Sequence, residues 1–230
     1  MRDNPISVMM FAAGFGTRMG ALTADQPKPL IKVAGKPLID HALDLVDGFG
    51  TLRIVANLHY KPEQLERHLA GRDVLLSNEQ PDILETGGGL RHALPLLGGG
   101  PVFTTNTDAI WRGPNPFKLL ADAWDPMQMD ALLLCIPLNH AEGYTGTGDF
   151  LIDAEGRASR GPGLIYSGVQ ILKTEGLHDI PDRAFSLNLL WDRVLADRRL
   201  FALPYPGKWC DVGQPEGIKV AEAMLDAPDV

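Results

Sequence analysis

An apolar run near the N-terminus, Ile6–Ala13, constrains the fold most, because a glycine-rich turn stops it abruptly. Continuous apolar residues suit a strand that is buried on both faces of a parallel sheet. The turn, Gly14–Arg18, contains glycines that let backbone N–H groups approach a phosphate. Pro27–Leu30 follows, and its two prolines stiffen the chain around Lys28. Because Arg18 and Lys28 would bring positive charge to a polyphosphate, we interpret this segment as a nucleoside-triphosphate site.

Two other phosphate-binding loops fit this segment less well. The sequence has no G-x-x-x-x-G-K-[ST] string, which a Walker loop needs. A dinucleotide fingerprint needs G-x-G-x-x-G, but here Gly20 comes one position late, after Met19. The nearest acidic candidate for a ribose contact, Asp40, falls inside a helix-like pattern. A tight strand-to-helix turn without a ligand is the structural alternative, and the added arginine and lysine favour the nucleotide site.

Strand-like apolar runs alternate with helix-like stretches along much of the chain. The predicted strands are Ile6–Ala13, Leu52–Leu58, Val74–Asn78, Val102–Thr107 and Ala131–Leu138. The predicted helices are Pro37–Val46, Pro62–Ala70, Gly88–Leu97 and Pro116–Trp124. This alternation predicts an α/β fold that is Rossmann-like, with a mostly parallel sheet sandwiched by helices.

The C-terminal part changes character. A short turn at Ala154–Gly156 predicts a β-hairpin between residues 149–153 and the segment from Arg157 onward. The later predicted elements are a strand at Leu164–Leu172, a helix at Ser186–Asp197, a strand at Leu200–Pro204 and a helix that starts near Pro215. We find neither an internal repeat nor a low-complexity linker in the sequence, so we predict a single domain over residues 1–230.

Charge and cysteine content exclude several classes of function. The formal net charge is −8 and the pI is about 5.2, which argues against a nucleic-acid partner. Every apolar run is far shorter than the ~18 residues that a membrane-spanning helix needs, so we expect no membrane partner. Cys135 and Cys210 are too few for a disulfide framework or a zinc site, and we expect a cytoplasmic protein.

Three motifs carry a resemblance to a known family. Gly14–Arg18 and Pro27–Leu30 resemble the G-x-G-T-R and P-K-P-L signature of the sugar-1-phosphate nucleotidyltransferases. Leu84–Gly89, which reads L-E-T-G-G-G, resembles one branch, the N-acetylmuramate-1-phosphate uridylyltransferases of cell-wall recycling. Trp209–Gly213 extends the resemblance nearly to the C-terminus. It implies a GT-A-like nucleotidyltransferase with a nucleotide-binding half at about 1–108, and a sugar-phosphate half with a small β-hairpin at 109–230.

The implied reaction joins a nucleoside triphosphate and a sugar-1-phosphate to give a nucleotide sugar and pyrophosphate. These two small molecules are the expected partners, with UTP and N-acetylmuramate-1-phosphate preferred. No covalent nucleophile is required, because the sugar phosphate is already an anion. We assign catalysis to Arg18, which would hold the β- and γ-phosphates, and to Lys28, which would reach the α-phosphate or the sugar phosphate. A solvated turn lysine is the alternative for Lys28.

Two aspartates are candidate ligands of a Mg²⁺ cofactor. Asp108 follows the strand Val102–Thr107, and Asp211 follows Lys208–Cys210, so both stand at strand ends. Mg²⁺ accepts one or two carboxylates together with phosphate oxygens and water. In the family the first aspartate follows a glycine, but here it follows Thr107, whose side chain could tighten the site or shift the backbone. The alternative is that each aspartate simply caps a turn.

The base and the sugar have weaker signals in the sequence. The glycines after Glu85 could reach a pyrimidine edge through their backbone, or could merely begin a helix. The predicted nucleotide-binding residues are Ala12, Ala13, Gly14, Gly16, Thr17, Asn78, Glu79, Gly87 and Gly88. The resemblance places sugar binding at Glu85, Asn106, Asp149, Ser167 and Gly168. The family's E-K-P string is missing, which leaves Arg160 as a further candidate for the sugar phosphate.

Other functions stay open at this point. Within the class, a mannose-1-phosphate guanylyltransferase or a cytidylyltransferase of a phosphorylated alcohol would use the same catalytic residues. A non-catalytic regulatory subunit that binds nucleotide sugars is the alternative from a different class. Such a subunit could lose Arg18, Lys28 or an aspartate, whereas this chain keeps all of them. The sequence is compatible with a monomer or a dimer.

Overall fold

A seven-stranded sheet lies at the centre of the computed structural model, which describes residues 3–50 and 52–228. In chain order the strands are β1 (Ser7–Phe11), β2 (Lys32–Val33), β3 (Lys36–Pro37), β4 (Arg53–Leu58), β5 (Val74–Asn78), β6 (Val102–Asn106), β7 (Ala109–Arg112), β8 (Ala131–Ile136), β9 (Phe150–Ile152), β10 (Ala158–Arg160), β11 (Ile165–Leu172), β12 (Leu200–Pro204) and β13 (Lys208–Asp211). The α-helices are α1 (Leu38–Phe49), α2 (Pro62–Leu69), α3 (Glu85–Leu97), α4 (Pro116–Ala123), α5 (Asn188–Ala196) and α6 (Pro215–Asp226). Short 3₁₀ helices span Thr17–Thr23, Lys28–Leu30, Leu138–His140 and Glu175–Asp179.

The order of the sheet is β12-β8-β11-β6-β1-β4-β5. β1 pairs in parallel with both β4 and β6, and β5 and β12 join their neighbours in parallel. β11 is antiparallel to both β6 and β8. The mostly parallel sheet is therefore confirmed, and strands from both predicted halves of the chain belong to it.

Both faces of the sheet are covered by helices. In β1, Val8 and Met10 pack against one face with α1, α2 and α4. Met9 points to the other face, where α3 and α5 supply the apolar side chains. Because successive side chains of a strand alternate between faces, a strand buried on both faces needs the continuous apolar run seen in the sequence.

Sequence reasoning missed or misplaced several elements. β7, which pairs with β13, and the small β2–β3 ladder were not predicted, because each is short and shows no local periodicity. The helix predicted from Gly88 begins at Glu85, since tertiary packing holds glycines that lack helix propensity in its first turn. The predicted hairpin is confirmed by the antiparallel pairing of β9 and β10. Among the described residues, no helix has the length and apolar character needed to cross a bilayer.

A buried polar chain ties β6, β11 and α5 together inside one layer of the core. Gln170, which is fully buried, donates from Nε2 to Thr104 Oγ1 over 3.1 Å. Its Oε1 accepts a 2.9 Å hydrogen bond from Trp191 Nε1. These contacts satisfy polar groups that would otherwise be buried without a partner.

We predict that Gln170→Leu lowers the free energy of unfolding by about 1–3 kcal/mol, because the indole N–H of Trp191 loses its acceptor. Urea unfolding followed by circular dichroism measures this change. The double variant Q170L/W191F, which removes the stranded donor, should recover part of the loss only if the hydrogen bond causes it. Unchanged stability in Q170L would contradict the prediction.

Candidate active site

The glycine-rich turn forms one wall of a cavity of about 230 Å³. Predicted residues in its lining are Ala12, Gly14, Gly16, Thr17, Arg18, Lys28 and Asp108. Gly213, two residues after the second candidate metal ligand, also lines this cavity. The cavity therefore brings together the catalytic residues and the phosphate loop that were predicted from separate motifs.

Gly16 is required sterically where the turn meets Lys28. Its φ is +63°, in the left-handed region that favours glycine, and a Cβ there would lie 2.8 Å from the Cβ of Lys28. Thr23 Oγ1 donates to the Gly16 carbonyl over 3.2 Å and so helps to fix the conformation of the turn. The two sequence motifs thus pack directly on each other.

Lys28 and Asp108 form an ion pair at the floor of this cavity. Lys28 is buried, and its Nζ lies 2.5 Å from Asp108 Oδ2. Thr107 Oγ1 donates to the Phe11 carbonyl over 2.9 Å, which ties the end of β6 to the end of β1. The threonine that replaces the family's glycine therefore anchors the backbone just before Asp108.

Asp211 lies beside Asp108 because β13 pairs with β7. In that ladder Asp211 stands opposite Ala109, and Val212 N donates to the Asp108 carbonyl over 2.8 Å. The surrounding protein removes part of the hydration of Asp211, although the residue still reaches the surface. This burial and then the Asp108 carboxylate raise the pKa of Asp211, and Lys28 and Arg18 oppose them. Burial and the Asp108 carboxylate together therefore outweigh the effect of the two cations on the Asp211 carboxyl.

Such a pair fits a divalent cation. Across residues 3–50 and 52–228, no group of three or more His, Cys, Asp or Glu side chains is arranged to hold a metal. Two carboxylates nevertheless suffice for Mg²⁺ when phosphate oxygens and water complete the coordination. Cys210 does not extend this set, because burial, followed by Asp211 and Glu142, raises the pKa of its thiol to about 11. The thiol stays protonated near neutral pH.

Gly213 leaves room between Asp211 and Arg18. A Cβ at this position would lie 2.7 Å from Asp211 Oδ2 and 3.4 Å from Arg18 Nη1. The Trp209–Gly213 segment thus supplies a carboxylate at Asp211 and, at Gly213, the space beside it. This space leaves the cavity open on the side of Arg18.

A second cavity of about 210 Å³ adjoins the first and shares Phe11, Gly14 and Asp108 with it. Predicted residues in its lining are Ala13, Gly14, Glu79, Glu85, Asn106 and Asp108. Glu85 is exposed and has a φ of +59°, an uncommon conformation for a residue with a Cβ. The cavity extends from the glycine-rich turn toward the L-E-T-G-G-G segment.

Two of the backbone amides that were predicted to reach the base are hydrogen-bonded within the protein. Gly87 N and Gly88 N both donate to the Phe185 carbonyl, over 2.8 and 3.1 Å. A Cβ at Gly87 would lie 2.3 Å from the Phe185 ring. These glycines are needed because the segment around Phe185 packs against the first turn of α3, and the sequence has no local signal for that contact.

The Glu79 side chain, which was predicted to bind the nucleotide, is also hydrogen-bonded within the protein. Glu79 has only 1% of its surface exposed. One carboxylate oxygen accepts from Asn57 Nδ2 over 2.6 Å, and the other accepts from Leu84 N over 2.8 Å. Asn78 is exposed and is not among the described residues that line the two cavities.

Three side chains that were predicted to contact the sugar or its phosphate bond to other groups of the protein. Asp149 Oδ2 accepts from Tyr166 N over 2.8 Å, which supports the β-hairpin region. Ser167 is buried, and its Oγ accepts from Val169 N over 3.2 Å. Arg160 donates to Asn188 and forms an ion pair with Asp192 on α5. Their side chains therefore stabilise the fold, which explains the polar pattern that the sequence shows.

Asn106 and Gly168 lie together at the edge of the sheet. Because β11 runs antiparallel to β6, its early residues meet the carboxyl end of β6. Gly168 has a φ of +91°, and a Cβ there would lie 2.8 Å from Asn106 Nδ2. Glu85 and Asn106 are thus the two predicted sugar-binding residues that line the second cavity.

Sequence reasoning missed Asn57 and Ile83, which also line the second cavity. Asn57 had a usable signal, since it is a polar residue in the otherwise apolar run that forms β4. Ile83 had none, because an isolated apolar residue in a loop is indistinguishable from a core residue.

Comparison with known proteins identifies the family. Residues 8–144 match the MobA-like NTP transferase domain. The chain belongs to this family of nucleotidyltransferases. It is 41% identical to the N-acetylmuramate alpha-1-phosphate uridylyltransferase of Caulobacter vibrioides, over 98% of this chain and 99% of that protein.

Further relatives agree with the family. The nucleotidyltransferase chain is 32% identical to the N-acetylmuramate alpha-1-phosphate uridylyltransferase of Neisseria meningitidis, over 96% of this chain and 99% of that protein. In fold it is similar to HddC from Yersinia pseudotuberculosis complexed with GMP-PN, with a TM-score of 0.78 and 23% identity over 96% of this chain and 100% of that one. The similarity to HddC extends over nearly the whole chain, so the fold extends beyond the matched domain.

We predict that Lys28→Ala and Asp108→Asn each lower kcat at least about 100-fold, because K28A removes a cation from the phosphate cavity and D108N removes a candidate metal ligand that also pairs with Lys28. Pyrophosphate release measures the loss, and circular dichroism checks that the nucleotidyltransferase stays folded. Lys36→Ala is the matched control, since Lys36 is a surface lysine that pairs with Asp44. Near-wild-type turnover in K28A or D108N would remove the role assigned to that residue.

Proposed function

We propose that this nucleotidyltransferase converts UTP and N-acetylmuramate α-1-phosphate into UDP-N-acetylmuramate and pyrophosphate. One cavity lined by Arg18, Lys28 and Asp108, with Asp211 beside Asp108, carries the assignment of the reaction. The choice of UTP and of the sugar is supported by the near full-length similarity to the two uridylyltransferases described above.

The reaction is an in-line displacement at the α-phosphorus of UTP. An oxygen of the sugar phosphate forms a bond to this phosphorus, and the bond to the bridging oxygen of the β-phosphate breaks. The bonding electrons leave with pyrophosphate, so no proton transfer to a protein base is needed. Catalysis then depends on positioning the reactants and on neutralising charge.

Each charged residue has a place in this scheme. Lys28 projects into the phosphate cavity from a 3₁₀ helix and would neutralise the α-phosphate as negative charge builds up there. Arg18 lines the same cavity at its Gly213 side and would hold the leaving pyrophosphate as a fork. The ion pair with Asp108 keeps the Lys28 ammonium aimed at the cavity before substrate binds.

Asp108 and Asp211 would hold a Mg²⁺ ion, since the pairing of β7 with β13 brings their two carboxylates side by side. When bound, the ion would supply positive charge to the phosphate oxygens beyond what the two side-chain cations provide.

We predict that the activity is lost after treatment with EDTA and gel filtration and returns on addition of MgCl₂. Asp211→Asn should raise the Mg²⁺ concentration needed for half-maximal activity about tenfold or more, since it removes one of two charged ligands. Pyrophosphate release over a MgCl₂ titration measures both effects. Full activity in the metal-free enzyme would contradict the magnesium assignment.

The substrates are tested by crossing UTP, GTP, dTTP and CTP with the 1-phosphates of N-acetylmuramate, N-acetylglucosamine, mannose and glucose. We expect the highest kcat/KM with UTP and N-acetylmuramate α-1-phosphate, measured as pyrophosphate release and as the nucleotide sugar by mass spectrometry. Turnover only with GTP and mannose-1-phosphate would keep the mechanism and overturn the substrates. Nucleotide binding without any turnover would support the regulatory alternative.

This reaction would place the enzyme in cell-wall recycling. A cytoplasmic location agrees with the two cysteines, which are both free and buried.

A further inference from the structure

Two buried polar side chains, Asn57 and Glu79, connect the phosphate loop to the wall of the nucleoside cavity. Ala12 N, between β1 and the glycine-rich turn, donates to Asn57 Oδ1 over 2.7 Å. Asn57 Nδ2 donates to Glu79 Oε1 over 2.6 Å, and Glu79 Oε2 accepts from Leu84 N over 2.8 Å. These three hydrogen bonds form a continuous chain from one substrate-binding segment to the other.

The burial of Asn57 and Glu79 argues that the pair does more than fill space in the core. Asn57 is 3% exposed and Glu79 is 1% exposed. Among the described residues, the donors to the Glu79 carboxylate are the Asn57 amide and a backbone N–H, which are both neutral. A buried carboxylate without a cation is costly, and an apolar pair could fill the same volume without that cost. What an apolar pair could not do is accept the two donors, and one of these belongs to the segment that leads into Glu85.

The neighbouring residues leave space for the side chains of Asn57 and Glu79. A Cβ at Gly89 would lie 2.4 Å from Glu79 Oε1 and 3.0 Å from Asn57 Nδ2. The last glycine of L-E-T-G-G-G therefore makes room for the Asn57–Glu79 pair rather than for a ligand.

A second set of contacts, nearer the protein surface, also connects the glycine-rich turn with Glu79. The Phe15 ring packs edge-on against His59, with centroids 5.2 Å apart, and His59 Nδ1 lies 3.0 Å from the Glu79 carbonyl oxygen.

We propose that Asn57 and Glu79 are positioning residues that set the spacing between the phosphate loop and the nucleoside wall. Base and triphosphate of one pyrimidine nucleoside triphosphate can then occupy both sites simultaneously, without either segment moving. This inference rests on the proposed function only for the identity of the nucleotide. Without the pair, each segment would still bind its own part of the ligand, but the two parts would no longer fit together in one molecule.

The hydrogen-bond pattern allows a reciprocal test. Asn57→Asp places a second carboxylate against Glu79, and Glu79→Gln leaves its segment with one acceptor for two donors. In the double variant N57D/E79Q the roles are exchanged. The introduced aspartate accepts from Ala12 N and from the introduced glutamine, whose oxygen accepts from Leu84 N. A residue that merely fills space would show no such rescue.

Binding is measured by calorimetry with UTP, with inorganic triphosphate and with uridine, and kcat and KM are measured by pyrophosphate release. We expect N57D and E79Q to weaken UTP binding at least about tenfold and to raise KM more than they lower kcat. The E79Q variant should keep its affinity for inorganic triphosphate within about threefold, since Asn57 still contacts the phosphate loop. The double variant should bind UTP within about threefold of the wild type.

Asn115→Ala is the control for loss of hydrogen bonds from a partly buried asparagine outside the site. Asn115 caps α4, where its Oδ1 accepts from Phe117 N and Lys118 N, and it donates to the Leu45 carbonyl. It should lower the unfolding midpoint without changing UTP affinity. Gly89→Ala is an independent perturbation, because its methyl group would displace Glu79, and it should weaken UTP binding in the same way.

Three results would overturn the proposal. These are UTP binding at wild-type strength in both single variants, no rescue in the double variant, or an equal loss of affinity in N115A. Should either single variant fail to fold, the double variant and G89A still decide the matter. The binding measurements need no turnover, so a wrong sugar or reaction would appear only in the pyrophosphate assay and is distinguishable from failure of this inference.

Discussion

The parallel pairing of β1 between β4 and β6 is the constraint on which the rest of the structure depends. Carboxyl ends of parallel strands meet at one edge of a sheet, so this pairing gathers the glycine-rich turn, Asn57 and Asp108 in one place. β7 then returns from Asp108 and pairs with β13, which adds Asp211 from the far end of the chain. Every charged group of the proposed mechanism is held at the end of a short backbone segment that leaves this edge.

Charge at this edge is divided into two kinds with different surroundings. Lys28 and Asp108 line the first cavity and Asp211 lies beside them, where the proposed substrate phosphates and metal ion would compensate their charges. Glu79 belongs to the wall of the second cavity but is almost fully buried, and only neutral donors from the described residues hold its carboxylate. The first group of residues is placed to act on the substrate. Glu79 is instead placed to hold two segments of the protein at a fixed distance. The same residue type thus serves opposite purposes according to its access to substrate.

Three glycines near the site are needed because a Cβ would not fit at their positions. Gly16 lets the turn lie on Lys28, Gly87 admits the Phe185 ring, and Gly89 accommodates the Glu79 carboxylate. In each case a Cβ would lie closer than 3.0 Å to a side chain that carries a structural or catalytic role. Motif glycines near a nucleotide site are therefore a poor guide to backbone contacts with the ligand, because tight packing demands the same residue.

The sequence by itself determined the α/β class, the strands that bear the site, and the residues that carry its charge. Those features are local: continuous apolar runs reflect burial on both faces, and Arg18, Lys28 and Asp108 stand directly beside recognisable turns. The tertiary structure alone decided which polar residues face the cavity. Glu79, Asp149 and Ser167 looked like ligand contacts in the sequence, yet each meets a donor from a distant or neighbouring segment. Those pairings depend on how strands that are remote in sequence are brought together, and a buried hydrogen bond and a contact to a ligand demand the same side-chain chemistry.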